Sequence, residues 1–471
     1  MCNFCCIFAR FFGRTMFLYF WFIRIAAFFG HQKARKMVDG QEARGEWREA
    51  RGESQEARGE RQEARGEGLE ARGESQEARG ESLKGAIWIH AASSGEFEQA
   101  RTLIEKLKIK NEKLKVVVTF FSPSGYEMQK NYPLADGVFY LPFATRRNAR
   151  RFIETLQPSM AFFVKYEFWP AYIRELNKRG IPFYSISSVF RPNQYFFRWW
   201  GKGQLRLLRM FTHIFVQDEA SRRLLAEHAV HNASVAGDTR FDRMWEVKGE
   251  RREAKGESLA PIAEFAEGCE RVLVAGSTWP EDEILLQKYS EFSTQHSDRI
   301  TKLILVPHEL TEEHLHFIFN LFKGRMVKYS ALRVQNTDRF TDRIQTDIES
   351  RRNILQQANV LLVDTMGLLS MIYRFGQVAY IGGGFGEGIH NTIEAASYGL
   401  PVVFGPKYQH FREAQGLIDA GAGQSIRKYE ELEKALDDAF ANHEESGAKA
   451  LEYVKSELGA TEKIYKEIFE N

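Results

Sequence analysis

Three kinds of segment in this chain hold residues able to do chemistry. The run Gly382-Gly383-Gly384-Phe385-Gly386-Glu387-Gly388-Ile389-His390-Asn391-Thr392-Ile393-Glu394 lies between the apolar runs Val378–Ile381 and Leu400–Phe404. That order reads as strand, glycine-rich turn, helix, strand. Glycines let the backbone approach a ligand closely and take positive φ. A helix starting near Asn391 would aim unpaired N–H groups and its positive dipole end into the turn, where a phosphate or sugar phosphate fits. Glu394, one turn along, can accept hydrogen bonds from ribose hydroxyls. Asn391 and Glu394, three residues apart, are equally a capping box that needs no ligand. The residues alone leave both readings open.

The second kind is a pair of carboxylates. His90-Ala91-Ala92-Ser93-Ser94-Gly95-Glu96 follows an apolar run and opens a helical pattern, which places Glu96 beside a polar turn as a general base or as a simple complement to the helix dipole. Lys165-Tyr166-Glu167-Phe168-Trp169-Pro170 delivers Glu167 after the run Met160–Val164. The third kind is a set of polar strand ends: Gly276-Ser277-Thr278, Pro307-His308-Glu309 and Asp364-Thr365-Met366-Gly367.

The elements that must position these residues are legible as alternation. Ala86–His90, Lys115–Phe120, Met160–Val164, Pro182–Ser185 and His213–Val216 are short apolar runs, separated by amphipathic stretches such as Glu98–Leu107 and Ala149–Leu156. After Pro261 the pattern restarts with Arg271–Ala275, Lys302–Val306, Val360–Val363, Val378–Ile381 and Pro401–Phe404. Alternation of this kind implies α/β architecture, with parallel sheets covered on both faces. Two Rossmann-like units predict a cleft with ligands at the carboxyl ends of the strands.

At 471 residues the chain is long enough for two such domains, and its net charge of +2 gives no general basic surface for nucleic acid. Cys2, Cys5, Cys6 and Cys269 form no paired CxxC pattern, which fits neither a zinc site nor a disulfide framework. Phe17–Phe29 is apolar apart from Arg24 and is followed by Lys33, Arg35 and Lys36, so residues 1–36 read as a membrane anchor with the following chain cytoplasmic. Between Glu42 and Glu81 stand six copies of Glu-Ala-Arg-Gly-Glu at a seven-residue spacing. They lack an apolar seam, and each glycine weakens a helix by about 1 kcal/mol; residues 37–84 therefore read as a disordered tether. Glu253-Ala254-Lys255-Gly256-Glu257 echoes the unit within a linker at 247–260, between domains at 85–246 and 261–471, the second carrying the terminal helices.

Taken in order, these motifs resemble those of the 3-deoxy-D-manno-octulosonic acid (Kdo) transferases, membrane-associated glycosyltransferases of the two-domain GT-B type. Ile87-Trp88-Ile89-His90-Ala91-Ala92-Ser93-Ser94-Gly95-Glu96 is similar to the family's first strand and Gly-Glu loop, and Glu167-Phe168-Trp169-Pro170 to its Glu-x-Trp-Pro motif. Gly237-Asp238-Thr239-Arg240-Phe241-Asp242 stands where the family has Gly-Asn-x-Lys-Phe-Asp. Gly276-Ser277-Thr278, Asp364-Thr365-Met366-Gly367 and Gly388-Ile389-His390-Asn391-Thr392-Ile393-Glu394-Ala395 also resemble family motifs. The chain departs at Lys165-Tyr166, often Glu-Thr; at Pro307-His308-Glu309, where the family has Pro-Arg-His; and at Leu368, commonly Glu.

The resemblance implies inverting transfer of Kdo from CMP-Kdo to the lipid A precursor at the cytoplasmic face of the inner membrane. It implies no cofactor, CMP-Kdo being a substrate, and no metal clamp. Glu96 would be the general base, with Ser94, Gly95, Glu167 and Arg191 on the acceptor side. Gly276, Ser277, Thr278, His308, Met366, Gly367, Gly388, His390, Asn391 and Glu394 would serve the donor. Arg191, Arg198 and Lys202, among Tyr195, Phe196, Phe197, Trp199 and Trp200, would meet acceptor phosphates and acyl chains, or else the aromatics pack on one another. The alternatives are another GT-B transferase or sugar-nucleotide epimerase, and an inactive membrane-tethered scaffold.

Overall fold

The computed structural model describes residues 83–250, 256–295, 301–332, 354–355 and 357–470. The expected anchor, the repeat tether up to residue 82 and residues 251–255 of the expected linker lie outside the described residues. No described helix is long and apolar enough to cross a membrane.

The described chain forms two compact units. The first contains a seven-stranded parallel sheet of order β3-β2-β1-β4-β5-β6-β7: β1 (Ile87–Ala91), β2 (Val116–Phe120), β3 (Gly137–Tyr140), β4 (Met160–Val164), β5 (Phe183–Ser188), β6 (His213–Val216) and β7 (Ala233–Val235). The second contains another, of order β10-β11-β9-β8-β12-β13-β14: β8 (Val272–Thr278), β9 (Lys302–Pro307), β10 (Met326–Lys328), β11 (Val360–Leu362), β12 (Val378–Ile381), β13 (Val402–Phe404) and β14 (Gly423–Ser425). Central strands such as β1, β2 and β8 are buried almost throughout, because helices cover both faces of each sheet. In the first unit, Trp88, Phe163, Phe152, Tyr172 and Leu208 pack on one face, and Ile87, Ile89, Phe97, Leu103 and Phe162 on the other.

Order reverses beside the central strands β1 and β8, each flanked by two strands that follow it in the chain, β2 and β4 in one sheet and β9 and β12 in the other. Those are the topological switch points where α/β sheets hold ligands. The polar loops after β1, β4, β8, β9 and β12 all leave from carboxyl ends.

The first unit extends to Arg243 and takes back the chain from Gly459, while Met244–Leu458 forms the second. The sequence had grouped all terminal helices with the second domain. The helix Ala460–Phe469 is instead fixed to the first unit by Asp242, whose carboxylate accepts from the Gly459 and Thr461 N–H groups at 2.7 Å each. Thr461 Oγ1 also meets Thr102 Oγ1 at 2.9 Å, and Lys106 pairs with Glu462.

Candidate active site

In the first unit the site begins where β1 runs into the helix Ser94–Lys110. Ser93 caps that helix: its Oγ accepts from the Glu96 N–H at 3.4 Å. Glu96 reaches back, its Oε2 accepting from the Ala92 N–H at 2.8 Å. This is the reciprocal logic of a capping box, shifted one residue upstream. The carboxylate is thereby held half-buried in the first turn, next to half-buried Ser94 and to Gly95, which faces open space.

Glu167 follows β4 and closes a buried polar cluster. The His90 ring is wholly buried, its Nδ1 lying 3.0 Å from the Thr119 carbonyl oxygen and 2.9 Å from Thr119 Oγ1. A carbonyl only accepts, so the ring proton belongs on Nδ1. The Trp169 Nε1–H then points to both His90 Nε2 (3.0 Å) and Glu167 Oε2 (2.6 Å), while those two atoms lie 3.1 Å apart. The shared Trp169 N–H bridges the two acceptors. Glu167 therefore braces the loop after β4 as well as lining it.

Two residues nearby take left-handed backbone without being glycine: Lys165 (φ 56°) and Ser187 (φ 55°), at the ends of β4 and β5. Such conformations concentrate at functional loops. Asp238, buried after β7, binds the Arg240 side chain through Nε at 2.9 Å and the Arg240 N–H at 3.0 Å. Burial alone would raise its carboxyl pKa, but Arg240, with help from Lys165, holds it below the usual value. Arg240 and Lys165 thus present positive charge around one ionised carboxylate. Arg191 is half-buried, its N–H donating to Gln194 Oε1 at 3.1 Å.

In the second unit the turn after β8 meets the glycine run after β12. Ser277 has φ 55° at a break in the β8–β9 register. Its half-buried hydroxyl has no partner among the described residues. Gly382 lies so close to that turn that a Cβ would stand 2.2 Å from the Ser277 carbonyl oxygen. Gly383 (φ 90°) donates its N–H to buried Asp282 at 2.8 Å, and Asp282 also accepts from the Trp279 N–H (3.0 Å) and Tyr380 Oη (2.7 Å). One carboxylate thus ties the start of the helix Pro280–Gln295 to the glycine loop.

A stack of rings borders this loop. His308 lies between Trp279 (centroids 5.0 Å apart) and His390 (4.2 Å), and the Trp279 Nε1–H donates to His390 Nε2 at 3.2 Å. Burial, reinforced by His308, pushes the His390 pKa down to about 4, and burial lowers that of His308 too. Both rings are neutral at physiological pH and act as hydrogen-bonding groups rather than as charges.

The remaining donor-side residues fall as follows. Gly276 is buried and its carbonyl accepts from the Gly382 N–H at 2.9 Å. Thr278 is buried with its hydroxyl committed to Glu283 Oε1 at 2.9 Å, so that hydroxyl faces the core. Met366 (71 % exposed) and Gly367 (φ 84°) stand free beyond β11, while Asp364 is engaged by the Ser330 N–H at 2.9 Å. The helix expected near Asn391 is the five-residue Ile393–Ser397, and its first N–H is already satisfied by Asn391 Oδ1 at 3.0 Å. Asn391 Nδ2 donates to Glu394 Oε1 at 3.1 Å. These bonds are not those of a capping box, since Thr392 is the helix N-cap and makes no side-chain cap bond, but they engage both side chains locally.

His90, Trp169, Trp279 and Asp282 were quoted or passed over without a role. His90 had a signal: a polar residue ending an otherwise apolar strand. Asp282 had a weaker one, an acid in the first turn of a helix directly after a Ser-Thr turn.

Two parallel-sheet units with polar loops at the switch points define a GT-B-like fold. Solved structures agree: a UDP-GlcNAc 2-epimerase from Neisseria meningitidis bound to UDP-GlcNAc matches with TM-score 0.57 at 15% identity, over 82% of this chain and all of that one. A likeness at that identity speaks for the fold alone. Residues 55–243 match the family described as 3-deoxy-D-manno-octulosonic-acid transferase (kdotransferase). The 3-deoxy-D-manno-octulosonic acid transferase of Haemophilus influenzae is 26% identical over 398 residues, covering 80% of this chain and 85% of that protein. The one from Aquifex aeolicus is 26% identical over 356 residues (74% and 84%), and that of Rickettsia felis 25% over 355 (74% and 70%). Over about three quarters of its length the chain is thus similar to Kdo transferases, which are glycosyltransferases.

Proposed function

We propose that this enzyme takes Kdo from CMP-Kdo and joins it to a hydroxyl of the lipid A precursor, at the cytoplasmic face of the inner membrane. Glu96 is the general base. It removes the acceptor hydroxyl proton as that oxygen forms a bond to the anomeric carbon of Kdo. The bond from that carbon to the CMP phosphate oxygen breaks on the opposite face, so the configuration inverts. The proton ends on Glu96 and the electron pair on CMP, whose phosphate needs no acid to depart.

The observation that carries this reading is the setting of Glu96. It is a half-buried carboxylate in the first turn of the helix after β1, anchored by the Ala92 N–H, beside a glycine open to solvent and within the matched span. Arg240, Lys165 and Arg191 suit the phosphates of the acceptor, and Glu167 braces the loop after β4 that begins with Lys165.

On the donor side, the Ser277 hydroxyl, at the turn that Gly276 and Gly382 approach, receives the CMP phosphate. Neutral His308 and His390 add hydrogen bonds. Glu394 takes the ribose hydroxyls, and exposed Met366 packs its thioether on the base. Preorganised dipoles of this kind stabilise developing charge without reorganising.

The test is CMP release from CMP-Kdo with and without the lipid A precursor, for the natural chain and Glu96→Gln. Removing a general base costs about 100-fold or more in rate. Acceptor-dependent release that falls by that factor, with donor affinity unchanged, is the expected result. Release that survives the substitution removes Glu96 from the role, and donor binding without release from the natural chain rejects the transferase reading.

A further inference from the structure

Residues 141–210 carry thirteen Lys or Arg against three Asp or Glu, whereas the whole chain has 65 against 63. The excess is local, and the fold concentrates it. The helices Arg146–Leu156, Pro170–Lys178 and Lys202–Leu208 cover one face of the first unit's sheet, burying Phe152, Ile153, Tyr172, Ile173, Leu205 and Leu208. Their opposite sides are exposed and basic. In the first helix Arg146, Arg147, Arg150 and Arg151 fall on one side, away from the buried positions, as the helical period requires.

The three acids do not neutralise this layer. Glu154 is shared by Arg150 and Arg179, Glu175 pairs with Arg179, and Glu167 is turned to His90. Arg146, Arg147, Arg151, Arg174, Arg198 and Arg206 are exposed with no carboxylate partner among the described residues. The aromatic segment beside them mostly packs on itself: Phe196 is buried and touches Tyr195, Phe168 and Phe190. Trp199 is the exception, 82 % exposed next to Arg198.

We propose that this arginine layer docks the first unit on an anionic lipid surface, with Trp199 seated at the headgroup level. The chemistry is complementary. Arginines near an anionic leaflet each add binding energy, and an indole with an apolar body and one N–H prefers the membrane interface. The inference rests on the reading that the acceptor is lipid-linked, which requires the enzyme to meet a bilayer. It assigns that contact to folded residues, separate from the apolar Phe17–Phe29 segment and from Glu96.

The experiment measures binding of the full chain to phosphatidylcholine vesicles with and without phosphatidylglycerol, at low and high salt. It compares the natural chain with Arg146→Gln/Arg147→Gln/Arg151→Gln and with Trp199→Ser. The N-terminal segment, with Lys33, Arg35 and Lys36 beside it, is the same in every variant, so the readout is the change in the preference for anionic lipid. About fivefold per arginine, hence about 100-fold for three, is the expected loss of that preference. Trp199→Ser should weaken binding to anionic vesicles at both salt concentrations. Circular dichroism should stay unchanged in both variants, and CMP release with detergent-dispersed acceptor in the arginine variant, which separates failure of docking from failure of the transferase reading. Should the triple variant misfold, Arg174→Gln/Arg206→Gln replaces it. No preference in the natural chain, or a preference that survives the substitutions, overturns the proposal. So does RNA that displaces the chain from anionic vesicles through the same arginines, which would make the layer a nucleic-acid surface.

Discussion

Asp282 offers the sharpest test of how the donor loop is held. Its carboxylate is almost fully buried and accepts from three donors: the Gly383 and Trp279 N–H groups and the Tyr380 hydroxyl. Asp282→Ala strands all three. An orphaned buried donor costs about 1–3 kcal/mol. Water entering the vacated space recovers part of that, so the expected loss is about 3–5 kcal/mol. Asp282→Asn behaves differently. Its Oδ1 can keep both N–H groups, and its Nδ2 can donate to Tyr380 Oη, which then accepts. Burial also raises the carboxyl pKa of Asp282 despite these donors, so the ionised form is held at some cost that neutral Asn avoids. The Asn variant should therefore lie within about 1 kcal/mol of the natural chain. Hydrogen exchange by mass spectrometry on peptides spanning 382–388 reads the local effect. With 1.36 kcal/mol per tenfold, Ala should lower protection by about 100-fold or more, and Asn by less than about tenfold. CMP affinity should fall with Ala and hold with Asn. If the two variants exchange alike, hydrogen-bond satisfaction by Asp282 is not what fixes this loop.

Other expectations follow from the same geometry. Gly382→Ala drives a Cβ to 2.2 Å from the Ser277 carbonyl oxygen, whereas at Gly386 the nearest atom is 3.6 Å away; the first should cost about 3 kcal/mol or more and the second under about 1 in urea titrations, and equal costs would refute the close packing. Glu167→Ala removes one acceptor of the Trp169 N–H, which keeps His90 Nε2, so urea unfolding of the first unit should lose about 1 kcal/mol, and an unchanged midpoint would show that the cluster is not structural. Burial holds the His390 pKa down to about 4 in the folded state, against an ordinary value of about 6.5, so between those limits the unfolded state binds more protons and stability falls as pH drops. The loss should approach about 3 kcal/mol towards about pH 4, and His390→Gln should abolish most of that slope; a slope that persists assigns it to other groups.

How much of this was legible in the sequence depended on burial. The runs read from sequence correspond to β1, β2, β4, β5, β6, β8, β9, β11, β12 and β13, with β4, β6 and β12 matching at both ends and no end of the others off by more than three residues. The four strands not read, β3, β7, β10 and β14, are the outermost strands of the two sheets. Inner strands are covered on both faces and show as continuous apolar runs, whereas these edges are short and only partly buried, and a sequence such as Gly423-Gln424-Ser425 carries no such signal. The site divides in the same way. Glycines mark where backbone must come close, so the approach of Gly382 to Ser277 was readable in outline. The partner of a polar side chain was not. Ser277 and Thr278 are adjacent and chemically alike, yet one hydroxyl remains unpartnered at a left-handed turn while the other binds Glu283 in the core. Residue type fixes what a group can bond to, and only the register of β8 against β9 decides which of two neighbours faces a ligand. Asn391 and Glu394 make the same point from the other side: both chemistries were open in the sequence, and the fold already engages both side chains locally. Under the proposed function a ribose at Glu394 would share a carboxylate that already bonds Asn391, which gives Asn391 its place in the proposed donor site through its hold on Glu394.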